Sequence, residues 1–117
     1  MIVKNEKFKQ AILTALGDEE MRKILDCALF NVKSVNDTIR ECNIPHSTAY
    51  RKIKWLLNEN LLVVDRIEIT AEGKKFTLFR SALKTINVKY EHGSVLIEAE
   101  ESFDIIKKLT EKIFSLE

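Results

Sequence analysis

The feature that most constrains this chain is a change in the spacing of its apolar residues at Asn60. Before Asn60, apolar residues recur every three or four positions, which is the spacing of an amphipathic helix. After Asn60 the period shortens to two, first over 63–69 and again over 76–80, which is typical of strands. The sequence therefore predicts helices followed by antiparallel strands, an α+β chain.

The helical half divides into separate helices at residues that end or begin a helix. The first is predicted over 8–16 and is interrupted at Gly17, and the second begins at Asp18. The second helix carries one apolar stripe at helical spacing, formed by Met21, Ile24, Leu25, Ala28 and Leu29.

A helix-turn-helix is predicted on either side of Pro45. Ser34 can cap a short helix that must end near Asn43, because a proline restricts the residue before it. A turn over 42–46 then leads to a helix over 47–59. The inward positions are Val35, Ile39 and Cys42 in the first helix and Ala49, Ile53 and Leu56 in the second, and Trp55 is expected to pack at the core or its rim.

Two hairpins follow, and then one more helix. Gly73 can supply the positive φ of the first turn, and His92-Gly93 form the second. A final helix is predicted from Ser102, with a seam formed by Phe103, Ile106, Leu109, Ile113 and Leu116. The predicted fold is an α+β winged helix-turn-helix over 1–84, extended over 85–117 by an additional β-hairpin and a C-terminal helix.

Composition and cysteine usage narrow the class of protein. A chain of 117 residues with 45% hydrophobic and 32% charged residues predicts one globular core. No apolar run resembles a membrane span or a signal peptide, so we expect a cytoplasmic protein without membrane association. Cys27 and Cys42 lie apart in sequence and form no CxxC pair; we expect reduced, buried thiols, and a redox or metal sensor remains the alternative.

No motif for catalysis, a cofactor or a metal is found in the sequence. His46 and His92 have no acidic or cysteine partner at metal-ligand spacing, so both are expected to be turn residues. The glycines form no phosphate-binding loop and no carboxylate pair stands out. The sequence therefore predicts a protein that is not an enzyme and uses no cofactor or metal.

Charge is distributed unevenly although the net charge is only +1. Between Lys33 and Trp55, five cations against two carboxylates leave a local charge of +3, whereas the stretch from Glu91 to Glu117 carries −4. Local charge decides where a polyanion can bind. A solvated helix face can produce the same asymmetry.

The outer face of the second helix of the turn is predicted to read DNA. A helix fits the major groove, and short or flexible donors must lie near its N-terminus. The candidate DNA-binding residues are His46, Ser47, Thr48, Tyr50, Arg51 and Lys54 on this helix, and Lys74 and Lys75 at the tip of the first hairpin. Tyr50 is equally compatible with packing, and hairpin lysines can also serve solubility.

The segment from Ile44 to Leu56, with its run Ser47-Thr48-Ala49-Tyr50-Arg51, resembles the recognition helix of ArsR-like winged-helix transcriptional regulators, most of all archaeal members. The stretch from Glu72 to Ser81 resembles their wing and returning strand. The resemblance implies a DNA-binding regulator. Asn60 stands where the family has a glycine, and 33–37 lacks the cysteine pair of the metal-sensing members, so it does not imply metal sensing through that site.

The predicted partners are double-stranded DNA and a second copy of the chain. The C-terminal seam either packs on its own domain or pairs with the same helix of another subunit, and we favour a homodimer because a small DNA reader gains contacts from two half-sites. The main alternative function is a winged-helix protein-interaction module. A nonspecific chromatin-type DNA binder is disfavoured by the near-neutral total charge.

Overall fold

The computed structural model describes residues 1–102, and within them the predicted α+β architecture is confirmed. The described elements, in chain order, are α1 (Glu6–Leu16), α2 (Glu19–Cys27), α3 (Val35–Cys42), α4 (His46–Asn58), β1 (Leu62–Ile69), β2 (Lys75–Ser81), β3 (Leu83–Glu91) and β4 (Ser94–Glu101). The predicted C-terminal helix and its apolar seam lie outside the described residues.

The starts of the first three helices are set by side-chain caps. The amide of Phe8 donates to Asn5 at 2.9 Å, so α1 begins two residues before the predicted start at Phe8. Asp18 caps α2 in the same way, and Ser34 forms a capping box with Asp37 at the start of α3. The apolar stripe of α2 extends beyond the helix, which ends at Cys27.

The helix-turn-helix consists of α3, a left-handed Asn43 with φ of 53°, and α4. Within α3 the buried residue is Thr38, whose hydroxyl donates to the Ser34 carbonyl at 3.0 Å. The three predicted inward positions of α3 are only half-buried beside it. A threonine can occupy the most buried position because the helix backbone satisfies its hydroxyl.

Strands β1 and β2 form an antiparallel hairpin whose base is fixed to the helices. Asn60, with φ of 65°, turns the chain from α4 into β1, as expected of a residue that tolerates this conformation. Lys33 and Phe79 exchange two backbone hydrogen bonds of 2.9 and 2.8 Å, which adds a short third segment beside β2. Further along β2, the amide of Ser81 donates to the Ala28 carbonyl at 3.0 Å.

Strands β3 and β4 form a second hairpin, joined as predicted by His92 and Gly93 with φ of 50° and 79°. The N-terminal segment lies along β4, where the amide of Val3 donates to the Ile97 carbonyl at 2.9 Å. This hairpin is therefore attached to the helical body through the residues that precede α1.

One apolar core joins the helices to both hairpins. Its largest fully buried side chains include Ile12 of α1, Ile24 of α2, Leu56 of α4, Phe79 of β2 and Ile97 of β4. The predicted inner residues of α4 belong to it, and Trp55 packs at its edge as predicted. Across residues 1–102, no helix is both long enough and apolar enough to cross a membrane.

Candidate nucleic-acid interface

The outer face of α4 presents most of the predicted DNA-binding residues to solvent. Helical spacing turns one side of α4 toward the core, which leaves the other side free. His46, Ser47, Tyr50, Arg51 and Lys54 are exposed, and Thr48 is half-buried. The structure thus places all six candidates of this helix together at or near one surface.

The first turn of α4 differs from those of the other described helices. Asn5, Asp18 and Ser34 cap α1, α2 and α3 through their side chains, whereas Pro45 gives α4 no side-chain cap. The amides at the start of a helix have no partner within the helix, and they carry partial positive charge. The start of α4 can therefore donate to an external anion such as a phosphate.

Tyr50 projects from this face beside His46. The two rings lie 4.6 Å apart between centroids with an interplanar angle of 43°. Tyr50 is 49% exposed, so it is not a core residue. Its ring is held by the histidine and remains accessible from the solvent side.

Lys52 contributes to the local charge of +3, but it does not lie on the outer face of α4. Its ammonium lies 2.7 Å from Oδ2 of Asp18 and 2.8 Å from Oε1 of Glu20, and the residue is only 7% exposed. The hydrogen bond from Lys52 is the largest cause that lowers the pKa of Asp18, and the pKa of Lys52 is raised chiefly by the same bond. Lys52 therefore joins α4 to the start of α2 and does not face the outer surface.

Two other cations of the Lys33–Trp55 stretch are also neutralised within the chain. Lys33 pairs with Glu41 at 2.9 Å, and Arg40 pairs with Asp37 at 2.9 Å. Arg51 and Lys54 form no ion pair with residues 1–102. The local charge of +3 thus reduces, at the outer face of α4, to two cations available for a polyanion.

The tip of the β1–β2 hairpin is a compact turn that presents two further cations. The amide of Thr70 donates to the Lys74 carbonyl at 2.8 Å, and the amide of Gly73 donates to the Thr70 carbonyl at 2.9 Å. Gly73 adopts the expected positive φ of 84°. Lys74 and Lys75 follow the tip, are exposed, and pair with no carboxylate of the described chain.

A cleft of about 540 Å³ brings the hairpin tip together with both helices of the turn. Of the predicted residues it contains Tyr50, Lys74 and Lys75. Its lining consists of Ser34, Val35, Asn36, Tyr50, Thr70, Lys74, Lys75, Phe76 and Thr77. The surface that includes this cleft and the outer face of α4 is called the basic groove below.

The start of α3 is the part of the basic groove that sequence reasoning missed. Ser34 was identified as a helix cap and Asn36 received no role, yet both line the cleft opposite the hairpin tip. The signal in the sequence was the cap itself, because it marks a helix N-terminus. Its proximity to Lys74 depends on the backbone pairing of Lys33, just before α3, with Phe79 of β2, which spacing along the chain cannot give.

Within residues 1–102, no group of three or more His, Cys, Asp or Glu side chains has the arrangement needed to hold a metal ion. His46 is the first residue of α4 and His92 lies in the β3–β4 turn. Neither histidine therefore belongs to a cluster that a metal could use in this part of the chain.

No protein-family model matches the sequence, and no curated protein is significantly similar to it. Among solved structures, the chain is similar to NolR from Sinorhizobium fredii, with a TM-score of 0.42 and 13% sequence identity over 97% of this chain and 93% of that one. The winged-helix arrangement of this chain is seen in the order and packing of its elements, since a helix-turn-helix is followed by a hairpin wing.

Proposed function

We propose that this chain is a sequence-specific double-stranded DNA-binding transcriptional regulator of the ArsR-like, archaeal winged-helix type that its sequence resembles. The observation that carries the proposal is the basic groove, in which the hairpin wing and both helices of the turn line one cleft. Arg51 and Lys54, which pair with no carboxylate of residues 1–102, lie on the adjoining face of α4. A surface of cations and hydrogen-bond donors on a helix that can enter a groove is what DNA recognition requires.

Each side chain of the groove has a role that follows from its chemistry. Arg51 is proposed to bind a guanine edge through two hydrogen bonds, since its guanidinium matches the two acceptors of that base. Ser47 and Thr48 would reach a phosphate or a base edge, and Lys54 would neutralise the backbone. Lys74 and Lys75 of the wing would contact flanking phosphates or the minor groove.

The proposed regulator acts by occupancy as a homodimer, without catalysis and without a cofactor. Each subunit would place α4 in one major groove, with half-sites about one helical turn (roughly 34–36 Å) apart. Exposed apolar side chains on one face of the second hairpin support a partner surface there, namely Val88 and Tyr90. The apolar positions of 103–117 would extend that interface.

The alternative is a winged-helix protein-interaction module. It is favoured by apolar side chains on the wing, where Ile67 is 60% exposed and Ile69 is 64% exposed. Exposed apolar residues grouped on one element are a common feature of protein-binding surfaces. The exposed cations of the basic groove, Arg51, Lys54, Lys74 and Lys75, favour DNA over this alternative.

Selection of bound sequences from a random double-stranded DNA pool tests the proposal directly. We expect enrichment of a palindromic site, because two identical subunits read two identical half-sites. The Arg51→Ala protein should lose the enriched base at the position that Arg51 contacts. If no sequence is enriched and the protein retains no DNA at low salt, the result would contradict DNA binding and favour the protein-interaction module.

A further inference from the structure

Cys27 and Cys42 are separated in sequence but share one cavity in the fold. Cys27 is the last residue of α2, and Cys42 is the last residue of α3. Both are half-buried, and they line a cavity of about 440 Å³ together with Lys23, Asp26, Lys33 and Glu41. The two thiols are therefore less buried than the sequence predicted, and the cavity leaves them open to a small reagent.

Each of the two sulfurs lies against a polar group of the cavity that both cysteines line. Sγ of Cys27 lies 3.6 Å from Oε2 of Glu41, and Sγ of Cys42 lies 3.5 Å from the carbonyl oxygen of Lys23. Burial, followed by the hydrogen bond with the Cys42 thiol, raises the pKa of Cys27 to about 12. Within residues 1–102 the two cysteines and their acidic neighbours do not form a group of three ligands arranged to hold a metal ion, so this arrangement favours disulfide chemistry.

We propose that Cys27 and Cys42 form a reversible dithiol–disulfide pair whose oxidation weakens DNA binding by the basic groove. The regulatory half of this proposal rests on the proposed function, whereas the disulfide itself does not. The oxidant is a low-molecular-weight disulfide of the glutathione type. Thiol–disulfide exchange with such a compound needs two thiols in reach of each other and accessible to the reagent.

The exchange takes place in two balanced steps. The thiolate of Cys42 attacks one sulfur of the small disulfide, and the displaced thiolate takes up the proton that Cys42 released. Cys27 then loses its proton, with Glu41 as the adjacent acceptor, and attacks Sγ of Cys42. The second small thiolate leaves and receives that proton, so the protein loses two electrons and the small disulfide becomes two thiols. Cys42 attacks first because Cys27 is held as a thiol by its raised pKa.

The cysteine pair is linked to the basic groove through Glu41 and Lys33. Glu41 contacts Cys27 and pairs with Lys33 at 2.9 Å, and Lys33 is hydrogen-bonded through its backbone to Phe79 of the wing. A disulfide of about 2.05 Å is much shorter than a contact between two thiols, so oxidation draws the end of α3 toward α2. Because the start of α3 lines the cleft opposite the wing, this movement changes the spacing across the groove.

The test compares the full-length protein before and after treatment with glutathione disulfide. Mass spectrometry should show the loss of two hydrogen atoms and a peptide that links Cys27 to Cys42, and dithiothreitol should reverse both. Fluorescence anisotropy on a DNA site selected from the random pool should show an affinity about fivefold or more lower for the oxidised protein. Cys27→Ser and Cys42→Ser should each bind DNA as the reduced wild type does, with or without the oxidant.

Other outcomes would overturn the proposal in distinguishable ways. If the treated protein contains only mixed disulfides with glutathione, or only disulfides between chains, the proposed internal disulfide between Cys27 and Cys42 is refuted. An internal disulfide with unchanged DNA affinity would refute the regulatory role. Failure of the reduced protein to bind any DNA would refute the proposed function and this regulation with it, while the mass measurement still decides the disulfide. Alanine variants at both cysteines, checked by thermal unfolding, replace the serine variants if a hydroxyl disturbs folding.

Discussion

Nζ of Lys52 lies 2.7 Å from Oδ2 of Asp18, so the helix proposed to read DNA is joined to the N-cap of α2 by an ion pair between a buried lysine and a half-buried carboxylate. Glu20 adds a second carboxylate at 2.8 Å. Since Asp18 also caps α2 through the amide of Met21 at 2.9 Å, one carboxylate fixes both the start of α2 and the position of α4.

The first prediction concerns the removal of Lys52. Lys52→Met should lower the free energy of unfolding by about 1–3 kcal/mol, because two carboxylates lose their cation, although both retain access to water. Urea unfolding followed by circular dichroism measures the change. Lys54→Met, on the exposed face of the same helix, is the matched control and should stay within about 0.5 kcal/mol. Equal effects of the two substitutions would show that the ion pair is unimportant for stability.

The second prediction concerns the pH dependence of the same pair. The folded pKa of Asp18 is lowered, mainly by Lys52, so its contribution to stability is present above the unfolded pKa near 3.8 and is lost as pH falls through the folded value. Asp18→Asn should therefore be less stable than the wild type at neutral pH, and the difference should shrink in acid below about pH 4. Urea unfolding at a series of pH values tests this. A constant difference between the two proteins would contradict it.

The third prediction separates base reading from backbone binding at Arg51. Arg51→Ala should weaken binding to the selected site by about 1–3 kcal/mol and binding to random DNA by less, because a bidentate contact to a base is specific. Anisotropy titrations on both DNAs measure the two losses. Lys7→Ala, on the exposed surface of α1, is the control for a lost positive charge. Equal losses on both DNAs at Arg51 would assign it to a phosphate.

The fourth prediction concerns the wing. Replacing Lys74 and Lys75 together with alanine should reduce affinity for every sequence and lower the magnitude of the salt slope by up to about 2, since each phosphate contact contributes about 0.9. Titrations at several salt concentrations give the slope. Replacing Lys84 and Lys89 of β3 removes the same charge from the other hairpin and should leave the slope unchanged. An unaltered slope in the wing variant would remove the wing from the DNA interface.

The fifth prediction concerns the proposed homodimer. A chain truncated after Glu101 should show the mass of a monomer by light scattering, because it loses the apolar positions predicted to form the seam. Tyr90→Ser in the full chain, on the exposed face of the second hairpin, should weaken association without abolishing it. A truncated protein that remains dimeric would move the interface to another surface, such as α1.

The elements of this fold could be predicted from sequence because their signals are local. The turn around Pro45, the glycine at the wing tip and the His92-Gly93 hairpin each depend on adjacent residues, and all three are present, although the turn around Pro45 is one residue shorter at each end than the predicted 42–46. The start of α1 was misplaced because spacing of apolar residues does not register a cap such as Asn5, which lies before the periodic segment.

The groupings of side chains could not be predicted because they depend on packing between elements. Helical spacing separates Lys52, three residues after the inward Ala49, from the outer Lys54, but it does not reveal that Lys52 is buried beside Asp18. The same holds for Cys27 and Cys42, which meet only where the ends of α2 and α3 come together. Helical spacing identifies the face that a residue occupies and leaves its partners on other helices undetermined.

The manner in which the wing is attached determines how it can change during evolution. Near its base, Phe79 is bonded through the backbone to Lys33 and Ser81 to Ala28, while the turn from Thr70 to Lys74 bonds within itself. Insertions or deletions of residue pairs near the tip would thus preserve strand register and leave the core intact. The reach of the wing along a duplex is a property that related chains can lengthen or shorten independently of the helix that reads the bases.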